Sequence, residues 1–565
     1  MSEPAPPATP PGLPRPDDGA TTHRFGVNVA SNLAYFVLST GLMLWYVPFL
    51  VRHLGVAAYG MVPLANSVVM YAIVVSESLY TAYFRYLAID LNRGDAEAAR
   101  RTFASASLLT LLACGLLMVP FGAFTLLLPY TLAVPPGLDR ATQFLFAGTA
   151  CTLLAGLLTG LFSTSSAIAH RFDLRNLGRG ASMAARIGVV AVCFALWPAS
   201  LWHVGAGLMA SAALGLAIDV AVWRHLTPTL RFAPGAADHA CVRRLFRMTG
   251  WSAINMLGLL MLMHADLLVI NLMFGPEATG RYGAILLIPL LVHTVAEIVL
   301  PLLAPLIMAR YAARNTEGIR NLVTDAARLL ALGLALPAGL ICGLGKPLLT
   351  LWLGPDFAGM HIVLALLVGH LTINLALRPV GYIFTAYDKM RLQGLVTVAC
   401  GVAYIVLAVS AARWGGWGVA GVAGACAFVW TLRNTAVLST CAARVLGLSP
   451  WVFIRPLAGG VLMLVGLSLS GFLIATTWPP RTWPALAMTA TALSLGYAGL
   501  SWGLLLSASD RTRAAALVRW LLERLRSPGR SHGDPEPQAA GLVAPAPGLA
   551  PIRRTSPTGW PRSRP

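Results

Sequence analysis

The chain has 565 residues, of which 57% are hydrophobic and only 11% charged, with a mean hydropathy of +0.70. A soluble protein carries roughly 25% charge, so this composition excludes an ordinary soluble enzyme and indicates an all-α integral membrane protein. The net charge of +19 does not point to nucleic acid, because the arginines sit in short loops between apolar spans and form no single patch.

Residues 1–24 are Pro-rich and polar and read as a disordered tail. No cleavable signal peptide is visible, so the first span is an uncleaved helix. That span, about 26–50, carries Asn28, Asn32, Tyr35, Ser39 and Tyr46 at helical spacing. Such a polar stripe faces other helices or a cavity and not lipid. The second span, about 58–85, sets Asn66, Glu77 and Thr81 on one face. Further spans follow at about 102–129, 142–168, 181–198 and 201–223. Residues 224–247 hold five arginines and form the longest internal polar link, which marks a boundary between two halves. The second half has spans at about 249–273, 280–308, 325–351, 358–385, 393–412 and 417–441. The eighth carries His293 and Glu297 at i, i+4, and the tenth carries His370, Asn374 and Arg378 at steps of four. Two more spans, about 452–475 and 483–506, have no partner in the first half. Residues 509–526 form a basic amphipathic segment suited to an anionic membrane surface, and 527–565 form a Pro-rich tail.

The halves resemble each other. Setting Leu54-Gly55 on Phe274-Gly275, an offset of 220, brings Tyr35 onto Asn255 and Tyr46 onto Asp266. Three extra residues in the second turn then align Tyr59-Gly60 with Tyr282-Gly283. A repeat of this length suggests two similar six-helix lobes, 25–223 and 248–445, followed by spans thirteen and fourteen within 446–508. Arginine clusters occupy alternate loops, such as Arg93/Arg100/Arg101 and Arg171/Arg175/Arg179, while the other loops hold a single basic residue or none. The clustered loops are read as cytoplasmic, with both termini inside and fourteen spans in the inner membrane. The eight cysteines show no metal-ligand spacing and read as small apolar side chains, and no metal or cofactor is expected.

PFLVRHLGVAAYG (48–60), SAIAHRFDLRNLG (166–178), ADLLVINLMFGPEATGRYG (265–283) and LWLGPDF (351–357) resemble the polysaccharide flippases of the MOP (multidrug/oligosaccharidyl-lipid/polysaccharide) exporter superfamily. Those proteins export O-antigen and exopolysaccharide repeat units. The superfamily also holds the lipid II flippases and the MATE drug exporters. The resemblance covers about 25–440 and implies two lobes around a central cavity that opens alternately to either side. The implied cargo is an undecaprenyl-pyrophosphate-linked oligosaccharide, with membrane lipids and a polysaccharide polymerase as partners and the transporter a monomer. In the lipid II flippases the two extra helices form a groove for the lipid tail, and no residue of spans thirteen and fourteen matches that groove.

No nucleophile, metal cluster or phosphate loop is evident, so no bond-making chemistry is expected. The informative residues are polar groups within spans, because each charge costs roughly 2.5–3.5 kcal/mol at mid-helix. Asn32, Tyr35, Tyr46, Asn255, His370, Asn374, Arg378 and Arg433 are candidate substrate-cavity residues. Arginine suits a pyrophosphate or acidic sugar because its planar fork makes two charge-assisted bonds. The alternative for Arg378 and Arg433 is snorkelling to headgroups. Arg186 reads as an anchor near the inner membrane surface. Glu77, Asp266, His293 and Glu297 are candidate gating or coupling residues, and Asp266 matches an acid common in the resembling family. Structural hydrogen bonds or pairing with nearby arginines would explain the same acids, and satisfied interior histidines would explain His264, His293 and His370. The pattern predicts an asymmetric cavity, cationic on the second lobe and neutral on the first, where Thr152, Thr159 and Ser163 supply hydroxyls. Two rival functions are a cation-coupled multidrug exporter and a multispan glycan ligase or glycosyltransferase. The first is disfavoured by the lack of an acid in span one, and the second by short outer loops.

Overall fold

The computed structural model describes residues 18–92, 95–169, 171–248, 250–506 and 511–512. The basic segment 509–526 lies outside the described residues except for Arg511 and Thr512, as do the tail 527–565 and the first 17 residues. Among the described residues there are helices and turns but no strand. In lipid this is one of two ways to satisfy every backbone donor and acceptor. Eleven helices are long and apolar enough to cross a membrane, or twelve if the bent pair Val56–Met70 and Ile73–Leu87 is one span. One of the eleven, Ala253–Glu297, is 45 residues long and folds back at Gly275.

The first half comprises α1 (Asp18–Leu54), α2 (Val56–Met70), α3 (Ile73–Asn92), α4 (Ala96–Thr131), α5 (Asp139–Ile168), α6 (Phe172–Leu196) and α7 (Leu201–Leu226). A short α8 (His239–Met248) follows. The second half comprises α9 (Gly250–Ile285), α10 (Leu287–Val299), α11 (Leu303–Ala312), α12 (Thr316–Trp352), α13 (His361–Gly369), α14 (Leu371–Ala376), α15 (Arg378–Ala386), α16 (Met390–Arg413), α17 (Gly418–Leu432) and α18 (Ser439–Val445). Then come α19 (Trp451–Ile454), α20 (Ala458–Thr477) and α21 (Trp483–Leu500). The described residues divide into two compact units, one ending at Ser494 and the other beginning at Leu495. In the second, the wide π turn Ser501–Leu505 ends α21, and Arg511 donates to the carbonyls of Gly503 and Leu506.

The repeat is written into the backbone. Gly55 and Gly275 both have positive φ, 77° and 80°, with ψ of 161° and −174°. Only glycine enters that region without strain, so each makes the sharp turn between consecutive spans. The offset of 220 continues beyond the turns. A Cβ on Gly60 would lie 2.7 Å from the Pro276 carbonyl oxygen and 2.6 Å from the Gly280 nitrogen. A Cβ on Gly280 would overlap the Val56 carbonyl oxygen, the symmetry-related partner of Pro276. Gly283 in turn lies against Pro63. The three-residue insertion expected from the sequence is therefore corrected: Gly60 pairs with Gly280, and Tyr59-Gly60 does not correspond to Tyr282-Gly283. The repeated Tyr-Gly dipeptide suggested the wrong register, whereas backbone contact fixes the right one.

Prolines break the helices of the second half. A 3₁₀ turn at Leu300–Leu302 separates α10 from α11, and the Tyr382 hydroxyl donates to the Leu300 carbonyl there (3.1 Å). In the π turn Arg433–Leu438 between α17 and α18, the Asn434 carbonyl accepts from both the N–H and the hydroxyl of Ser439, the hydroxyl at 2.7 Å. Both devices satisfy backbone groups that lipid would not.

The halves meet mainly at their arginine-poor ends. Asn271 of α9 accepts from the Ala133 N–H (2.9 Å) and donates to the Ala133 carbonyl (3.1 Å), clasping the turn between α4 and α5. The Trp352 indole donates to the Leu44 carbonyl of α1 (2.8 Å). Alternate turns at this end also expose Trp197, Trp202, Trp414, Trp417, Trp478 and Trp483, the aromatic belt of a membrane interface. α20 is bound to α12 by small residues: a Cβ on Gly343 would lie 2.7 Å from the Ser468 carbonyl oxygen, and Gly460 meets Ala331. Leu486 of α21 joins Leu344 and Ala475 in the same packing.

Three boundaries differ from the sequence reading. α1 begins at Asp18, inside the segment read as a disordered tail. α6 begins at Phe172, well ahead of the expected 181. The polar link 224–247 contains α8, whose Cys241 and Leu245, one turn apart, enter a cluster with Phe103, Trp223 and Leu230. Charge density hid the apolar stripe in that link.

The glycine crossing generates a direct test. Gly280→Ala forces the crossing apart and should destabilise the protein by about 1–3 kcal/mol, the usual cost of overpacking. Gly188→Ala, at a position with nothing within 4 Å, should leave it unchanged. Thermal unfolding of both variants in detergent checks this, and equal stability of the two would refute the crossing.

Candidate functional site

Below the crossing lie two adjoining cavities. The first, of 570 Å³, lies within the first half and is lined from α1, α2, α3, α4, α5, α6 and α7. The second, of 460 Å³, lies between the halves. Met43, Asn66, Met70 and Arg186 line both, so they form the junction.

The first cavity takes its charge from α6. Arg175, Arg179 and Arg186 fall at i, i+4 and i+11, on one face of the helix, with Ser182 between them. The ladder spans about 17 Å of helix rise. Below it, Arg171 is already neutralised by a forked contact to Asp173 (2.9–3.2 Å), which also holds its guanidinium above its ordinary pKa. Asp219 of α7 interacts with Arg179 and Arg175. Arg186 has no carboxylate among the described residues. Its guanidinium carbon sits 5.7 Å from the centroid of the Tyr46 ring, one nitrogen is 3.8 Å from the Met43 sulfur, and its shielded Nε meets no hydrogen-bond partner. Tyr35, Tyr80, Glu77 and the hydroxyls of Thr110, Thr149, Thr152, Thr159 and Ser163 complete the wall.

This overturns the expectation of a neutral first lobe. Arg175 and Arg179, placed by the apolar run in a loop, belong to α6 because that helix starts at Phe172, and Arg186 lines the cavities and does not anchor at the membrane surface. The signal was present as their shared helical face. Asp219 and Asn66 also line the walls without having been singled out as site residues.

The central cavity is more apolar. Tyr46 and Asp266, the pair aligned by the offset of 220, both line it. Asp266 is 4% exposed and is held by the Tyr282 hydroxyl (2.8 Å) and the Leu267 N–H (2.9 Å). Its position therefore fits a tie within the fold of α9. His293 and His370 flank the Trp430 ring with centroids 5.5 and 5.6 Å away.

The other candidates tie elements within their own half. The Asn176 amide donates to Asn32 (2.7 Å), joining α6 to α1. In the second half, Arg433 donates to the Thr397 hydroxyl oxygen (2.7 and 3.2 Å) and to Asn434 (2.7 Å). The Thr397 hydroxyl reaches Asn255 (3.0 Å), and Asn434 donates to Asn374 (2.9 Å), which donates to His370 Nδ1 (2.9 Å). Asn255, His370, Asn374 and Arg433 thus belong to one hydrogen-bonded chain across α9, α14, α16 and the π turn. Arg433 is 4% exposed, which replaces snorkelling with internal ligation. Arg378 pairs with Glu297, joining α15 to the end of α10. Among the described residues no group of three His, Cys, Asp or Glu side chains is placed to hold a metal.

No family model matches the sequence. The chain is 29% identical over 495 residues to "Uncharacterized membrane protein EpsK" of Bacillus subtilis (strain 168), covering 86% of this chain and 97% of the relative. It is 23% identical over 392 residues to "Putative O-antigen transporter" of Shigella flexneri, covering 67% and 89%. Among solved structures it is similar to an inward-facing multidrug resistance MATE family transporter of the MOP superfamily (TM-score 0.56, 14% identity, 77% of this chain and 95% of that one). It is also similar to the lipid II flippase MurJ in an inward closed conformation (TM-score 0.54, 10% identity, 84% and 98%). The fold expected from the resemblance is the fold found.

The Arg378–Glu297 pair can be tested apart from any cargo. Arg378→Glu sets two carboxylates together and should lower the amount of folded protein, and Glu297→Arg should do the same. The double reversal should recover it, with a coupling of about 0.5–1 kcal/mol for a pair this exposed. Additive losses in the double variant, measured by fluorescence-detected size exclusion, would mean that the pair contributes nothing.

Proposed function

Taking the chain as a multi-pass member of the MOP superfamily of membrane transporters, we propose that it flips an undecaprenyl-pyrophosphate-linked oligosaccharide from the cytoplasmic to the outer leaflet. The observation that carries this reading is Arg186. An arginine inside a span that has, among the described residues, no carboxylate and no partner for its shielded Nε is costly unless an anion completes it. It stands where the hydroxyl-lined first cavity meets the apolar central one. Hydroxyls hydrogen-bond sugars at little desolvation cost, and guanidinium forks hold phosphates. The cargo's oligosaccharide occupies the first cavity and its linking phosphate lies at Arg186. The protein moves the molecule without making or breaking a bond.

The transport cycle follows from where the halves touch. Contacts at Gly60/Gly280, Asn271/Ala133 and Trp352/Leu44 close the arginine-poor end. If that end faces outward, the state is loaded from the cytoplasm, and rocking about the crossing opens the other side. α20 and α21, packed on α12, move with the second half. A second reading, a drug exporter, is favoured by the Met- and Leu-rich central wall beside Asp266.

Arg186→Gln should cut surface-glycan export at least tenfold and leave the lipid-linked unit on the cytoplasmic face, with protein abundance unchanged. Arg186→Lys should retain part of the activity, because charge survives and the fork does not. Normal export by Arg186→Gln would rule out the anion role, and drug sensitivity with intact glycan would favour the exporter instead. The proposed sidedness is checked by reporter fusions. Alkaline phosphatase should be active at Pro136 and Asp356 and inactive at Gly235, and the reverse pattern would invert the topology.

A further inference from the structure

A third cavity, of 580 Å³, lies away from the transport path, between the start of α4 and the connection that joins the halves. Glu97, Arg100 and Arg101 come from α4, and Arg231 comes from the connection. Pro228, Ala233 and Ala236 give it short apolar walls. Three guanidinium groups therefore face one carboxylate. That carboxylate compensates poorly: Arg100 and Glu97 are 3.9 Å apart, with side chains 57% and 67% exposed. Arg101 and Arg231 make no ion pair or side-chain hydrogen bond among the described residues.

The two walls are fixed relative to each other. The Asp238 N–H donates to the Ser105 hydroxyl (3.1 Å), one turn beyond Arg101 on α4. The Asp238 carboxylate caps α8 through the N–H groups of Ala240 and Cys241 (3.2 and 3.3 Å). Cys241 and Leu245 then bury α8 against Phe103 and Trp223. A preformed pocket of this kind need not be ordered by its ligand, which lowers the cost of binding.

We propose that this pocket is a phosphate-binding site, distinct from the transport cavities, in which Arg101 and Arg231 hold the phosphate and Arg100 supports them. The ligand chemistry is a phosphate mono- or diester, from the headgroup of an anionic lipid or from a free phosphate compound. The lipid source is the one favoured by position. α4 turns lipid-facing from Leu111 and Leu112, within about three turns of Arg101, and Phe232 is exposed beside Arg231. A bound phosphate would bridge α4 and the connection and so tie the connection to the first half.

The test uses the full-length purified protein in detergent, titrated separately with short-chain phosphatidylglycerol, short-chain phosphatidylcholine and inorganic pyrophosphate, with binding read by native mass spectrometry. Phosphatidylglycerol should bind more tightly than phosphatidylcholine, and Arg101→Gln/Arg231→Gln should weaken it about tenfold. Glu97→Gln removes the opposing carboxylate and should tighten binding, an effect that a purely structural pocket would not give. Gly188→Ala, at an open position remote from the pocket, should leave it unchanged, and the part of binding lost in Arg101→Gln/Arg231→Gln should be lost equally in an Arg186→Gln background, which separates this site from the transport reading. Arginine-dependent binding of pyrophosphate but not of the lipid would keep the phosphate site and assign it to a soluble ligand. Binding of neither probe, or binding indifferent to the arginine pair and to Glu97, would overturn the proposal.

Discussion

Where α2 and α9 cross, Gly60 and Gly280 let two backbones touch, and the cavity between the halves adjoins this contact through Tyr59, Pro63 and Gly283. Between helices in lipid the hydrophobic effect gives little net attraction, so close packing and hydrogen bonds must hold them together. The crossing supplies the packing, and Asn271 and Trp352 supply hydrogen bonds nearby. The same contact is symmetric, with Gly60 meeting the Pro276 carbonyl and Gly280 the Val56 carbonyl.

The halves treat their arginines in opposite ways. In the second half Arg433 is enclosed by Thr397 and Asn434 and so by the chain reaching Asn255, Asn374 and His370. Its hydrogen-bonding capacity is spent on neutral oxygens, which stabilises four elements against each other. Arg378 pairs with Glu297 through one nitrogen and stays 42% exposed. In the first half the α6 ladder differs along its length: Arg171 is paired with Asp173, Arg175 and Arg179 lie within the field of Asp219, and Arg186 meets the Tyr46 ring and the Met43 sulfur and, among the described residues, no carboxylate.

Much of the candidate site was legible as residue type and little of it as role. Tyr46 and Asp266 were paired by the offset of 220 and do face one cavity. Glu77, Tyr35, His293 and His370 also line cavities. Asn255, Asn374 and Arg433 have helical spacing that fits a cavity face and a helix–helix face equally well, and only the neighbouring helix decides between them. Arg186 shows the converse. Its sequence distance from the nearest loop suggested an anchor, because the true start of α6 lies at Phe172 and polar residues conceal it.

The sequence by itself determined the membrane-spanning helical class, the duplicated halves and the turns at Gly55 and Gly275, because those follow from composition, apolar run length and the φ that glycine alone tolerates. It also carried the resemblance to a transporter superfamily, through short stretches around those turns. The tertiary structure decided which polar side chains are satisfied and which are not. That property depends on what stands opposite: Glu297 against Arg378, Thr397 against Arg433, and no carboxylate against Arg186. It likewise decided the repeat register past Gly275, because backbone contact at Gly60 and Gly280 is a relation between two helices that neither one specifies alone.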